Sequence, residues 1–124
     1  MVAVKSSISV SALSARYLSI KNEVLGKDYN LTLSFVTPKH IQKLNKIYRN
    51  IDKPTDILSF PLSKNEGEIY ICKSETRKEA KNFDRGYENF LDFLFIHGCV
   101  HLKGHDHSAT MESIEVEVRK KFKV

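Results

Sequence analysis

The chain has 124 residues, 41% of them apolar, with 20 Lys and Arg against 15 Asp and Glu for a net charge of +5. That length carries one hydrophobic core and not two, so residues 1–124 read as a single domain, and the apolar fraction excludes a disordered chain. Two cysteines, Cys72 and Cys99, exclude a disulfide scaffold and supply no CxxC metal pair.

Residues 1–10 contain Lys5 and three serines without an apolar run, which is not a secretory signal pattern. The longest near-apolar stretch, 90–96, is too short to cross a bilayer. A reducing, cytoplasmic setting without membrane attachment is expected. The basic excess favours an anionic partner, nucleic acid being the commonest, although a solvated basic surface accounts for it equally well. Neither an aromatic RNP pattern nor a GxxG loop among basic residues is present.

In chain order, residues 11–25 place Leu13, Tyr17, Ile20 and Val24 at helical spacing. Residues 29–36 alternate Leu31, Leu33 and Phe35 with polar residues, the pattern of a half-buried strand. Thr37-Pro38 opens a helix to residue 50, with threonine as N-cap and Ile41, Leu44, Ile47 and Tyr48 as its buried stripe. Residues 52–56 form a turn, and 57–60 a core strand halted at Pro61. A further strand covers 67–72, and a polar surface helix 73–82. A central helix spans 87–103, and Ser108 caps a last helix with Met111, Ile114 and Val118 on one face. Strands mixed with flanking helices around one buried helix predict an α+β domain with a small mixed β-sheet.

Four of the five histidines fall within the eleven residues His97 to His107. On the central helix His97 and His101 are one turn apart on the same face. Gly104 tolerates the positive φ that ends a helix, and the returning chain delivers His107 as a third ligand. Three neutral imidazoles with an open position describe a catalytic zinc, because structural sites close all four positions. A lone histidine on an apolar helix is more often a hydrogen-bonded core residue, but packing does not explain a cluster this dense. Cys99, on the other side of the helix from both histidines, reads as a core residue.

The offsets of His97, His101, Gly104 and His107 reproduce the HExxHxxGxxH motif of metzincin proteases. Those enzymes need a glutamate directly after the first histidine as general base. Here that residue is Gly98, which counts heavily against a protease.

The segment HGxxHLxGxDH, preceded by LNxxYRxxDKPTDxLSFP over residues 44–61, closely resembles the YbeY family of metal-dependent endoribonucleases. Gly67-Glu68-Ile69-Tyr70-Ile71 looks like the family's GDI strand, and the resemblance covers roughly residues 30–118. It implies a zincin-like α+β fold built around a metal-bearing helix. It also implies one Zn2+ per chain on His97, His101 and His107, and cleavage of single-stranded ribosomal RNA. Small-subunit rRNA 3′-end maturation, ribosome quality control, and the small ribosomal subunit with its assembly factors as partners follow from the same resemblance. Arg49, of the Tyr48-Arg49 pair, would be the basic residue of the cleft that activity requires. Three departures stand out: His105 where the family has tyrosine, Glu68 where it has aspartate, and a chain that ends at Val124, soon after His107.

Electrostatics favour a nuclease. Three neutral ligands leave the full charge on zinc, which attracts a phosphodiester, and zinc can lower the pKa of bound water to about 7. A guanidinium can hold the non-bridging oxygens bidentately. The blander role for Arg49 is a cation at a helix C-terminus, worth about 0.3–1 kcal/mol. Asp106 is expected to orient a ligand histidine or its loop, and His105 to face solvent rather than carry a proton near the zinc. Asp52 and Asp56 read as turn-forming groups, as does Lys53, which is also a candidate for the RNA path. A non-catalytic ribosome-assembly factor with a structural zinc is the other class, disfavoured by the open coordination position.

Overall fold

The computed structural model describes residues 7–9, 14–104 and 109–124. Its elements are β1 (Ser7–Ser9), α1 (Ala15–Leu25), β2 (Asn30–Phe35), α2 (Pro38–Arg49), β3 (Ile57–Ser63), β4 (Glu66–Ile71), α3 (Lys73–Ala80), a 3-10 turn (Lys81–Phe83), α4 (Tyr87–Leu102) and α5 (Ala109–Phe122). The α+β class and the mixed sheet match the sequence expectation. The four strands lie in the order β1-β2-β4-β3. β2 and β4 are parallel, whereas β1 pairs with β2 and β3 with β4 in antiparallel fashion.

β4 explains the layering. Its side chains alternate between the faces, as the two-residue period of a strand requires. Ile69 and Ile71 enter a core with α1, α4 and α5, while Tyr70 and the following Cys72 join Ile41, Leu44 and Leu58 beneath α2. A strand covered on both faces reads as the near-continuous apolar run Ile-Tyr-Ile-Cys. The central helix α4 is buried on several sides, at Phe90, Leu91, Leu94, Phe95, Ile96, Gly98, Cys99, Val100 and Leu102. Cys99 is fully buried, in keeping with its reading as a core residue. Tyr17 of α1 stacks on Phe95 at 4.3 Å between ring centroids. Asp92, the one charge in the apolar run, is held by Arg16 at 3.0 Å.

The Thr37 cap follows the sequence: its hydroxyl accepts from the His40 N–H at 3.2 Å, with Pro38 in the first turn. The first helix does not begin at residue 11 as expected, because the Ser14 hydroxyl accepts from the Tyr17 N–H at 3.2 Å and caps α1 at Ala15; Leu13 lies outside the described residues. Gly104 has a φ of 96° just after α4, the left-handed region where glycine is tolerated.

Three further expectations are corrected. β3 does not stop at Pro61 but runs to Ser63, with a register irregularity between Pro61 and Ser63. β3 is an edge strand, where a missing N–H removes no ladder bond to a further neighbour. Ile47 and Tyr48 are 55% and 44% exposed rather than part of the buried stripe, which Ile41, Leu44 and Asn45 form. The helix α3 ends at Ala80, two residues short of the expected 82, and passes into the 3-10 turn. β1 has no counterpart among the expected elements, since three residues are too few to show a period.

Candidate active site

α4 carries His97 and His101 to the wall of a cleft of about 460 Å³. The other walls are Arg49 at the end of α2, Thr55 and Asp56 from the 52–56 turn, and Ile57, Leu58, Ser59 and Phe60 of β3. The two imidazoles are 5.7 Å apart between centroids and nearly perpendicular. The i, i+4 spacing thus produces the pair it predicts.

Arg49 is placed by the way α2 stops. Asn50 adopts a left-handed conformation with φ 58°, and its N–H returns to the helix carbonyls. The turn that follows is tied to the same helix: Asn45 Nδ2 donates to the Lys53 carbonyl at 3.0 Å and Gln42 Nε2 to Asp52 Oδ1 at 3.0 Å. Its far end is tied to the sheet, where the Cys72 N–H donates to the Asp56 carbonyl at 3.0 Å. The sequence reading of Asp52 as a turn residue therefore fits. Asp56 differs, because it also lines the cleft, and burial raises its carboxyl above the ordinary value against the opposing backbone and Thr55 hydrogen bonds. Lys53 is exposed and lies outside the cleft lining.

His97 Nδ1 lies 3.0 Å from Glu115 Oε1, whose side chain is 10% exposed and which Arg119 approaches at 3.6 Å. An imidazole that donates Nδ1–H to a carboxylate keeps its Nε2 lone pair for a metal, the usual support of a ligating histidine. This donor set suits a zinc-type cation. Among the described residues, no three His, Cys, Asp or Glu side chains are grouped to hold a metal ion. His105, Asp106 and His107, expected as neighbours and third ligand, lie outside the described residues.

Gly98 faces the sheet. A Cβ there would meet Ile57 Cδ1 at 3.0 Å, Ile69 Cδ1 at 3.0 Å and Ser59 Oγ at 3.1 Å, tighter than Cβ contacts normally come. Glycine lets α4 press against β3 and β4 beside the cleft, and a glutamate in this position would have to displace those side chains.

Sequence reasoning does not place Glu115, Asp56 or Ser59 at the site, although Asp56 and Ser59 line the cleft and Glu115 holds His97. A signal for Glu115 existed: with Met111 and Val118 it occupies positions i, i+4 and i+7, a carboxylate on the buried stripe of α5. Such a group needs a partner, and a ligand histidine on the preceding helix is the nearest chemical reason. No helix among the described residues is long and apolar enough to cross a membrane.

The family model for endoribonuclease YbeY matches residues 4–123. The chain is similar to endoribonuclease YbeY of Staphylococcus carnosus (strain TM300), 34% identical over 114 residues, covering 82% of this chain and 74% of that protein. It is also similar to that of Staphylococcus aureus (strain JH9), 34% identical over 110 residues, covering 77% and 71%. Among solved structures, a Thermotoga maritima protein determined in solution aligns with a TM-score of 0.64 at 30% identity, covering 86% of this chain and 76% of that one. A cleft that joins an arginine to two histidines, one of them held by a carboxylate, in a chain that the family model matches almost end to end, identifies a member of the endoribonuclease YbeY family, a hydrolase acting on RNA.

Proposed function

We propose that this rRNA-processing endoribonuclease cuts single-stranded RNA with the help of one zinc ion held by His97, His101 and His107, acting at the small-subunit rRNA 3′ end and in ribosome quality control. The observation that carries the reading is that Arg49, His97 and His101 line one cleft although Arg49 is far from the histidines in sequence. The helix with two histidines one turn apart, laid beside the edge strand that walls the cleft, supports a zincin-like architecture.

Bound zinc would supply a Lewis acid beside the scissile phosphodiester. Arg49 presents a fixed fork of donors, suited to two phosphate oxygens and to the charge that gathers on them in the transition state. Glu115 holds the His97 ring in one orientation and one tautomer. Asp56 places a carboxyl with raised proton affinity in the same cleft, a group suited to accept a proton from the attacking hydroxyl. His105 and Asp106 are read as flanking the third ligand, and Lys53 as an outlying phosphate contact. The protein partners under this reading are the small ribosomal subunit and its assembly factors, in the cytoplasm.

Gly98 weakens the protease alternative, because the site lacks a carboxylate where a peptidase keeps its general base. The test is metal content and substrate class together. Purified protein should hold one zinc per chain and cut unstructured RNA but not casein, and His97→Ala should lose both metal and cleavage. Casein cleavage, or RNA cleavage undiminished in metal-free His97→Ala, would overturn the reading.

A further inference from the structure

Phe60 and Tyr48 form an aromatic ledge at the cleft, 5.0 Å apart between centroids and inclined at 56°. Phe60 lines the cleft together with Arg49, and Tyr48, directly before Arg49, is 44% exposed. The ledge is braced from behind. Tyr70 meets Phe60 edge-on at 5.7 Å, is 1% exposed, and donates its hydroxyl to Glu68 Oε1 at 2.9 Å. This buried anchor keeps the Phe60 ring from collapsing into the core, so its position is set before any ligand arrives.

The cleft beside the ledge carries one cation, Arg49, and α2 itself has no acidic residue. Its helical period would ordinarily bury Tyr48 and Ile47, yet both are exposed. An apolar aromatic surface beside a guanidinium matches a nucleic acid strand, which offers π-faces and phosphates in alternation.

We propose that Phe60 and Tyr48 form a stacking subsite for one unpaired nucleobase of the RNA substrate, adjacent to the phosphate held by Arg49. The inference rests on the endoribonuclease reading and deepens it, because a base must leave its helix to lie on the ledge. The ledge then makes these two side chains determinants of single-strand preference. Stacking tolerates any base, so it selects strandedness rather than sequence.

The experiment compares binding of the zinc-loaded protein to two 2′-O-methylated single strands of equal length and charge, one bearing adenines and one abasic. Wild type should prefer the adenine strand by about ten-fold or more. Tyr48→Leu and Phe60→Leu should each shrink that preference, and Phe60→Tyr should preserve it. The chain contains no tryptophan, so quenching of a 2-aminopurine placed in the strand reports stacking directly and should fall in both leucine variants. Because Phe60 packs against the core beneath α2, the exposed Tyr48→Leu decides the matter if Phe60→Leu fails to fold. Equal affinity of wild type for the two strands, or a preference and quenching unchanged by Tyr48→Leu, overturns the subsite alone. Failure to bind either strand overturns the RNA reading as well.

Discussion

Glu115 Oε1 sits 3.0 Å from Nδ1 of His97, joining a helix that follows the histidine cluster to the helix that begins it. The contact fixes which nitrogen of His97 faces the cleft. It also gives Arg119 a role, since its guanidinium lies 3.6 Å from the same carboxylate oxygen and stacks over Phe93.

Removing that carboxylate should weaken metal binding without unfolding the chain. Glu115→Ala is expected to lower zinc affinity about 10- to 100-fold, the usual effect of losing a ligand histidine's outer partner. Glu115→Gln, which still accepts a hydrogen bond, should lose less. Competition with a chromophoric chelator reads both, and unchanged affinity in the alanine variant would remove Glu115 from the site.

Gly98 should behave as a packing residue. Gly98→Ala gains about 1 kcal/mol of helix propensity but crowds the sheet, where overpacking costs about 1–3 kcal/mol. A net loss of about 1 kcal/mol in denaturant unfolding is expected. Ile69→Val removes the Cδ1 atom that a Cβ at position 98 would meet at 3.0 Å. In that background the cost of Gly98→Ala should fall, and strict additivity in the double-mutant cycle would contradict the contact.

Asp56 gives the fold a pH signature. Burial raises its carboxyl above the ordinary value of 3.8, so the folded state holds this proton more tightly than the unfolded chain does. Its favourable contribution is complete below 3.8 and is lost as pH rises through the folded value. At neutral pH the buried charge therefore opposes folding. Asp56→Asn should raise the melting temperature of chelator-treated protein at neutral pH, with the gain vanishing as pH drops below 3.8. A gain that grows toward acid would have the wrong sign.

Much of this was legible in the sequence where local rules act. The cap at Thr37, the turn at Gly104 and the shared face of His97 and His101 depend on residues within a turn or two of one another. Pro61 misled because a proline reads as a strand stop, and only the sheet order shows β3 to be an edge. Tyr48 and Ile47 misled because helical period marks a face but not where the covering layer ends. The site positions of Glu115 and Asp56 come from elements that meet only after folding, so local sequence rules do not reveal them. Arg49 was found through the family motif, not through periodicity, and the cleft puts it beside the histidines.

Under the proposed function, Arg49 and the histidine-held metal act on one phosphodiester. The most direct measurement is the single-turnover cleavage rate of an unstructured RNA by wild type and by Arg49→Glu, with zinc content determined on the same samples. A rate at least about 100-fold lower is expected in the variant, the scale of losing a group that stabilises transition-state charge, with zinc retained at one per chain. Cleavage at the wild-type rate by zinc-loaded Arg49→Glu would contradict the proposed function.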